Sequence, residues 1–560
     1  MTPQLLITGA VPFALLIAAL LAVPLALGLL RLYRRSVVAG MVERSGHGQA
    51  SRPPAAAAPP PPLTVAWLTP ASPRPSPSAA FVHAVRAPAR AAGVLGAGGM
   101  VYGLAMALAF LVGSHIAPRP MNTAIFALAY AWPALLALAM LRADRRQRLV
   151  LFGGYALAYL GLWAAAPRID DSGSALADGG VVWASTNLLP TVLVAVVGWR
   201  RVRAVGPLVL AFLVLGVAGA TALVQALQMH EPLLHAVISV AFAAGFSGRA
   251  TFWLLLGLGL TGAGLLAMPL LKALARRYEA RAFSETQLSI DALWLVFAVA
   301  QGVSLAFNAP AWALAGLGAW LLARGVMALL WRLQPASPAP QQRLLLLRVF
   351  ALGDRSQRFF ERLRRHWLPL APVWMIAGPD LVTSTVEPHE FMAFVGGGLS
   401  REFVADAEDL DRRVAAFDPR PAPDGLHRVE ELFCRADTWQ MAMQRLADGS
   451  AAALMDLRGF EPGRDGCRYE IGRLLDTVPL SRVLLLVDST TREAHLRTSV
   501  AELWADVAAG SPNRHPGVSL RVMCIGEPTQ AQMHAVLAHL LGSQAVRAAS
   551  TDETSGLLAA

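Results

Sequence analysis

The chain has 560 residues, of which 55% are hydrophobic and only 15% are charged. Soluble domains contain about 25% charged residues, so this composition excludes an ordinary soluble enzyme. Charge is also divided unevenly. Residues 1–339 carry 24 basic and 9 acidic side chains (net +15), whereas residues 340–560 carry 24 and 28 (net −4). Because the positive charge belongs to the apolar half, the basic balance does not indicate a nucleic-acid partner.

The usage of basic residues and of cysteine indicates the kind of genome and the cellular compartment. Lys272 is the single lysine among 48 basic residues, a bias typical of GC-rich bacterial genomes. The three cysteines, Cys434, Cys467 and Cys524, lie in the second half and form no CxxC pair, so no metal site is predicted on them. An odd number without framework spacing is typical of reduced thiols in the cytosol.

The chain begins with an uncharged apolar run at residues 5–30, long enough to cross a bilayer of about 30 Å. Its start lacks a positive charge, so we expect a permanent transmembrane helix within residues 1–35 rather than a cleaved signal peptide. Residues 36–93 are rich in Pro and Ala. Such a composition favours extended chain and cannot bury a core, so they are predicted to be a cytosolic linker.

Eight further apolar runs predict a membrane domain over residues 94–333. The runs lie near 95–113, 121–141, 149–166, 183–199, 207–228, 252–271, 288–307 and 309–331. Nine crossings with a periplasmic N-terminus place every strongly basic loop in the cytoplasm and the acidic loop at 167–182 outside. The C-terminal half is then cytoplasmic, in a bacterial inner membrane.

This topology requires that residues 232–246 do not cross the membrane. At 15 residues this segment is short for a span, and we predict a re-entrant or interfacial helix. If it did cross, the C-terminal half would move to the other side unless another span were lost.

A few polar residues interrupt the apolar half. His230, Glu231 and His235 cluster at the outer end of a span, where a metal or proton role competes with an ordinary loop; no metal site is predicted. Arg324 can snorkel or pair within the bundle.

Three further polar residues of this half complete the set. Asp291 lies near the start of a span and can reach the interface, while Gln301 and Asn308 are interpreted as interhelical hydrogen-bond partners.

After a linker at 334–342, residues 343–545 predict an α/β domain, and residues 546–560 a flexible tail. Short apolar runs alternate with amphipathic helices, which favours a flavodoxin-like parallel sheet of five main strands. The predicted strands are 343–350, 372–377, 451–457, 482–488 and 519–525, with a further short strand at 428–433. A long helical stretch is predicted at about 387–416.

One segment of this domain carries a motif. The strand at 451–457 leads through a polar loop into a helix that opens Gly466-Cys467-Arg468-Tyr469-Glu470-Ile471. This resembles TIR (Toll/interleukin-receptor-like) domains, in which a W-C-x-x-E-L-like motif opens the corresponding helix. Val349-Phe350, Asp354 and Phe359 are similar to the family's first strand and helix, and the likeness covers 343–541.

The resemblance implies a role for Glu470. In enzymatic members the glutamate at this position cleaves the nicotinamide–ribose bond of NAD, so Glu470 would be catalytic, with Asp354, Asp456 and Cys467 lining the pocket. NAD would be a substrate, and no cofactor is implied. Many members are instead non-catalytic adaptors. Glu470 also has a purely structural interpretation, because a glutamate in the first turns of a helix stabilises the helix dipole.

The chain departs from the family pattern at several points. Gly466 replaces the tryptophan, Asp456 or Arg458 stands where the family often has serine, and about 50 residues at 380–430 are inserted.

The sequence therefore predicts an integral inner-membrane protein with a cytosolic TIR-like domain, acting in signalling or stress response and either cleaving NAD or binding a partner. A homo-oligomer formed through both parts, with the lipid bilayer as the other partner, is expected. The alternatives are a transporter or channel with a regulatory domain, and a non-catalytic membrane scaffold.

Overall fold

The computed structural model of the chain describes residues 11–46, 59–72, 78–141, 145–166, 175–197, 230–305, 314–334, 343–349, 354–379, 388–526 and 528–541, with single positions between them (205, 206, 209, 210, 212, 213, 223, 227, 312 and 386). The chain divides into two compact units. The helical unit comprises Met1–Tyr33, Ala92–Leu333 and Val386–Val395, and the sheet unit comprises Arg34–Ala91, Gln334–Thr385 and Gly396–Ala560.

Before the predicted α/β domain, the regular elements among the described residues are helices, apart from one strand. They are α1 (Val11–Val42), α2 (Ala79–Gly113), α3 (Pro120–Tyr130), α4 (Trp132–Leu141), α5 (Arg145–Ala165), α6 (Ala175–Val197), α7 (Glu231–Ala243), α8 (Gly248–Glu279), α9 (Glu285–Leu305) and α10 (Ala315–Arg332).

Close helix packing in the helical unit depends on small residues. A Cβ atom added at Gly316 of α10 would lie 1.9 Å from the carbonyl oxygen of Ala298 on α9. Glycine therefore allows the two backbones to touch, as small residues do in apolar bundles. Beside this contact the buried rings of Tyr102 and Trp294 meet edge to face, with centroids 5.7 Å apart.

Three of the described helices, α2, α5 and α8, are long and apolar enough to cross a membrane. The number rises to four if α3 and α4, which meet at a 44° bend, count as one span. That bend breaks the run predicted at 121–141. The segment at 232–246 forms the short apolar helix α7. Most of the run at 207–228, the loop at 167–174 and Asn308 lie outside the described residues, and the nine-span topology stays a prediction.

The sheet unit contains a parallel sheet of seven strands, in the order β1-β7-β6-β5-β2-β3-β4. The strands are β1 (Thr64–Leu68), β2 (Leu344–Arg348), β3 (Val373–Ile376), β4 (Val429–Leu432), β5 (Ala452–Asp456), β6 (Val483–Val487) and β7 (Ser519–Cys524). The helices are α11 (Asp354–Trp367), α12 (Pro388–Val395, in the helical unit), α13 (Ala407–Ala416), α14 (Trp439–Gly449), α15 (Asp465–Thr477), α16 (Glu493–Ala505) and α17 (530–541).

Both faces of the sheet are buried, which explains the continuous apolar runs of β2, β5 and β6. One apolar cluster lies between the sheet and α14, α15 and α16, and includes Leu345, Met455 and Ile471. A second cluster lies on the other face with α11, α17 and the start of α2, where Ala80 and Ala84 are buried.

The prediction of a parallel sheet is confirmed. Without β1 and β4, the order β7-β6-β5-β2-β3 is the flavodoxin-like order of the five predicted strands. The short strand foreseen at 428–433 is β4, which pairs with β3 at one edge. Seven strands replace the five main ones because β1 extends the sheet at the opposite edge, beside β7.

The linker predicted over residues 36–93 is wrong where the structure describes that segment. Thr64–Leu68 forms β1, which pairs in register with five residues of β7. The Trp504 indole donates a hydrogen bond of 2.8 Å to the carbonyl oxygen of Pro61, which holds the chain before the strand. Proline is tolerated beside an edge strand, so the Pro-rich composition concealed a β-forming run.

The single long helical stretch predicted at about 387–416 is also wrong. The chain forms α12, a 3₁₀ turn at Leu399–Glu402, and α13. Gly397 interrupts the helix with a φ of +72°, a conformation that glycine adopts without strain. Asp406 then caps α13, since its carboxylate accepts a hydrogen bond of 2.8 Å from the backbone N–H of Asp409.

The register of β1 predicts a specific cross-link. Neighbouring parallel strands lie about 4.8 Å apart, within the Cα separation that a disulfide spans. We expect Thr64→Cys with Ser519→Cys, in a Cys524→Ser background, to form a disulfide on mild oxidation of the full chain, read by mobility on non-reducing gels. Leu68→Cys with Ser519→Cys is the out-of-register control. Equal cross-linking of both pairs would show that residues 64–68 are a mobile linker.

Candidate functional site

The candidate site lies at the carboxyl edge of the sheet, where the strand order reverses. From β2 the chain proceeds outward to β3, and β5 then pairs with the opposite side of β2. In open parallel sheets, ligands bind outside the carboxyl ends of the strands at such a switch point. Arg348 ends β2 and stands in register with Asp456 at the end of β5, and both are buried.

Asp456 is engaged by an arginine two residues further along. Arg458 donates from Nε to one carboxylate oxygen (2.8 Å) and from Nη2 to the other (2.7 Å). Both side chains are at most 2% exposed, and the guanidinium lies 4.9 Å from the centroid of the Phe359 ring. A fourth contact runs from Nη1 to the carbonyl oxygen of Gly526 (3.4 Å). The bidentate geometry makes this pair an internal brace of the β5–α15 loop.

Glu470 occupies the inner face of α15. The neighbouring residues Ile471, Leu474 and Leu475 pack into the apolar cluster, and this burial turns Glu470 away from solvent. The residue is 5% exposed, and among the described residues its Oε2 atom has no hydrogen-bond partner. Glu470 is therefore a buried carboxyl group with an unfilled hydrogen-bonding position, close to the switch point.

Burial raises the pKa of Glu470 to about 8, and the positive charge of Arg348 opposes that shift in part. Desolvation disfavours the ionised form, and one nearby guanidinium does not compensate. Glu470 therefore holds a proton at neutral pH and can donate as well as accept a hydrogen bond. A strongly perturbed carboxyl group at a sheet switch point is a functional-site candidate.

Cys467 lies one turn before Glu470, as the spacing predicts, but within the apolar core. Burial, together with the nearby charge of Glu470, raises the pKa of its thiol to about 12. Such a thiol is not a nucleophile at neutral pH. Beside Gly466, where the family resemblance expects tryptophan, stands Trp439 of α14: a Cβ at Gly466 would lie 3.9 Å from its ring.

Asp488 is a third acidic residue at this edge, and it was not singled out from the sequence. It follows β6, and its carboxylate accepts hydrogen bonds from the backbone N–H (2.9 Å) and hydroxyl (2.6 Å) of Thr490 and pairs with Arg355 of α11. Burial alone would raise the pKa of Asp488, but these hydrogen bonds and the arginine outweigh it, and the pKa lies below its usual range. The sequence signal that could have identified Asp488 is its position directly after a strand, where ligands bind in parallel sheets.

Asp354, predicted to line the pocket, is the first residue of α11, and its side chain lies outside what the structure describes. The loop at 350–353, between β2 and α11, is likewise outside the described residues. The structure therefore brings Arg348, Asp456 and Glu470 to one end of neighbouring elements.

Gln301, Asp291 and Arg324 of the helical unit form structural contacts. Gln301 accepts a hydrogen bond from the Tyr102 hydroxyl (2.7 Å) and donates one to the Asn187 side-chain oxygen (3.0 Å), so its interhelical role is confirmed. Asp291 of α9 and Arg324 of α10 form an ion pair of 2.8 Å.

The sequence cluster at the start of α7 is arranged differently. His230, Glu231 and His235 are exposed there. Within the part of the chain that is described, no three His, Cys, Asp or Glu side chains stand close enough together to hold a metal ion.

Comparison with known proteins adds no relative. No family model, curated protein or solved structure matches this chain.

The Asp456–Arg458 pair is expected to support the fold. Removing one partner leaves an uncompensated buried charge, so Asp456→Ala is expected to cost about 3–5 kcal/mol of unfolding free energy. The double variant Asp456→Leu/Arg458→Met, which removes both charges, is expected to cost less. Chemical denaturation of the solubilised full chain measures both. Glu461→Ala, which removes an exposed ion pair with Arg464, is the control. An Asp456→Ala variant as stable as that control would contradict the assignment.

Glu470 also predicts a pH dependence of stability. Between its ordinary pKa of 4.5 and the folded value of about 8, only the folded state retains the proton. The contribution of Glu470 to the unfolding free energy is therefore full below about pH 4.5 and is lost as the pH rises towards 8. Glu470→Gln removes this dependence, so the variant is expected to gain stability relative to wild type from pH 5 to pH 8.

Denaturation of the full chain at the two pH values measures the effect, with the exposed Glu461→Gln as the control. A wild-type-like pH dependence in Glu470→Gln would mean that Glu470 is ionised in the folded protein.

Proposed function

We propose that this chain is an integral membrane signalling protein whose sheet unit is a TIR-like module that binds NAD at Glu470 and cleaves its nicotinamide–ribose bond. The observation that carries the proposal is the buried Glu470, with an unpartnered carboxyl oxygen among the described residues, at the carboxyl edge of the sheet. Burial raises its pKa to about 8. The sequence motif at 466–471 and the flavodoxin-like strand order support it.

The chemistry follows from the charge state of Glu470. A neutral carboxyl group can hold a ribose hydroxyl, and the cationic nicotinamide ring of the bound substrate favours loss of its proton. The resulting carboxylate stabilises the positive charge that develops at the ribose C1′ as the C–N bond breaks. Nicotinamide leaves with the bonding electron pair, water adds to C1′, and one proton is released.

A second function, as an interaction module without chemistry, is favoured by a different observation. The Asp456–Arg458 pair occupies the position where the family often has a serine, and its members are at most 2% exposed. Because the two side chains neutralise each other, they provide little charge or hydrogen-bonding capacity to a nucleotide. The pair instead makes this edge of the sheet rigid, which favours the binding of a protein partner.

Membrane insertion is supported by the apolar side chains that α8 exposes. Leu254, Leu258, Leu265, Leu266 and Leu270 are 44–72% exposed along this helix. A continuous apolar surface of this kind is stable in contact with lipid chains and is costly in water. The free thiols, including the exposed Cys524, agree with the reducing cytoplasm for the sheet unit.

The proposed activity is tested by NAD turnover of the full chain in membranes. Wild type is expected to consume NAD and release nicotinamide, and Glu470→Gln, which preserves shape, is expected to lose at least about 100-fold of the rate, as removal of one transition-state stabilising group does. Glu461→Gln, in the same polar loop, is the matched control and is expected to retain the wild-type rate. Product formation is followed by chromatography.

Two outcomes would overturn the enzymatic proposal. If Glu470→Gln turned over NAD at the wild-type rate, Glu470 would not be the catalytic residue. Absence of turnover by wild type, also after forced clustering of the chain in the membrane, would leave the interaction module as the function.

A further inference from the structure

The helical unit contains an apolar cavity of about 170 Å³. Three helices line it, α1, α8 and α12, together with Val209 and Phe212. The lining residues are Leu25, Leu29, Val209, Phe212, Met268, Leu271, Leu274, Phe391, Met392 and Val395. All ten side chains are hydrocarbon or thioether, so the cavity holds no group that could fix a water molecule or a polar ligand.

The size of the cavity restricts the ligand further. Sites for cofactors and drug-sized molecules enclose about 300–1,000 Å³ and place a few polar groups among the apolar ones. This cavity is smaller and lacks the polar groups. A segment of one hydrocarbon chain matches its lining.

A hydrogen-bonded pair joins two of the helices that line the cavity, α1 and α12. On α1, Tyr33 follows Leu29 by one turn, and its hydroxyl donates to the Glu390 carboxylate of α12 at 3.3 Å. Tyr33 also meets the ring of Phe394 edge to face, with centroids 5.5 Å apart. These contacts hold α12, which supplies Phe391 and Met392 to the lining.

Basic residues follow the lining residues on α8. Lys272 lies four residues after Met268, and Arg276 four residues after Lys272, so the three share one face of the helix. Arg277 follows Leu274 by three residues. Lys272, Arg276 and Arg277 are exposed, and Glu279 is the sole acidic residue of this helix. The apolar cavity thus continues into a positively charged helix end.

We infer that this cavity binds one acyl chain of an anionic phospholipid, whose phosphate lies against Lys272 and Arg276. Basic clusters at the cytoplasmic ends of membrane helices attract anionic headgroups, by about 1 kcal/mol per residue. A basic cluster alone attracts the headgroup, whereas the cavity also provides a defined binding position for the acyl chain. The site is separate from Glu470 and does not depend on nucleotide chemistry.

Binding of a lipid here has a consequence for the sheet unit. The helix α12 lies in sequence between β3 and β4, so the chain leaves the sheet unit at Thr385 and returns to it at Gly396. A lipid that fills the cavity stabilises the packing of α12 against α8 and α1. Membrane composition would thereby act on a segment that is covalently joined at both ends to the sheet unit.

The test is lipid binding to the delipidated full chain in zwitterionic detergent, measured by native mass spectrometry. Dioleoyl-phosphatidylglycerol is expected to bind more tightly than dioleoyl-phosphatidylcholine. Lys272→Gln and Arg276→Gln are each expected to weaken phosphatidylglycerol about fivefold and leave phosphatidylcholine unchanged. Leu271→Trp, which fills the cavity, is expected to weaken both lipids.

Matched controls lie on the same helix. Leu270→Trp places the same bulk on a side chain that is 60% exposed, and Arg249→Gln removes a charge from the opposite end of α8; both are expected to bind lipid as wild type does. Equal affinity of wild type for the two lipids would overturn the headgroup assignment. Binding by Leu271→Trp as tight as by Leu270→Trp would overturn the cavity. Either result leaves the NAD assay unaffected.

Discussion

Two of the buried carboxyl groups at the carboxyl edge of the sheet, those of Asp456 and Glu470, avoid the cost of an unpaired charge in different ways. Arg458 donates hydrogen bonds to both carboxylate oxygens of Asp456 and so pairs its charge. For Glu470, burial outweighs the opposing charge of Arg348, and the group instead retains its proton. Burying an unpaired charge would cost more than either solution. The first group is thereby committed to structure, and the second is left free to respond to a ligand.

The parallel sheet was predictable because both of its faces are buried. A strand such as Leu344–Arg348 is then a short apolar run without alternation, which is distinct from the amphipathic helices around it. β1 was missed because the prolines around Thr64–Leu68 dominate the local composition, although the five residues themselves favour a strand. The helix break at Gly397 depends on the φ angle of this one residue. The helix propensity averaged over residues 387–416 does not reveal it.

The sequence predicted where the candidate site lies, but it did not predict the protonation and pairing of the residues in it. The spacing of Cys467 and Glu470 correctly placed both on one helical face, at the end of a strand. Their burial depends on α14 and α16, which are distant in sequence, so the raised pKa values could not be foreseen. The partnership of Asp456 with Arg458 depends on the path of the loop between them, which the local sequence does not specify.

The account depends most directly on the protonation state of Glu470 in the folded protein. Difference infrared spectroscopy of wild type against Glu470→Gln isolates the carboxyl band of this one residue across a pH titration. We expect a protonated-carboxyl band at pH 6 that disappears with a midpoint near pH 8. Absence of that band at pH 6 would show that Glu470 is ionised at neutral pH, and would contradict the proposed site.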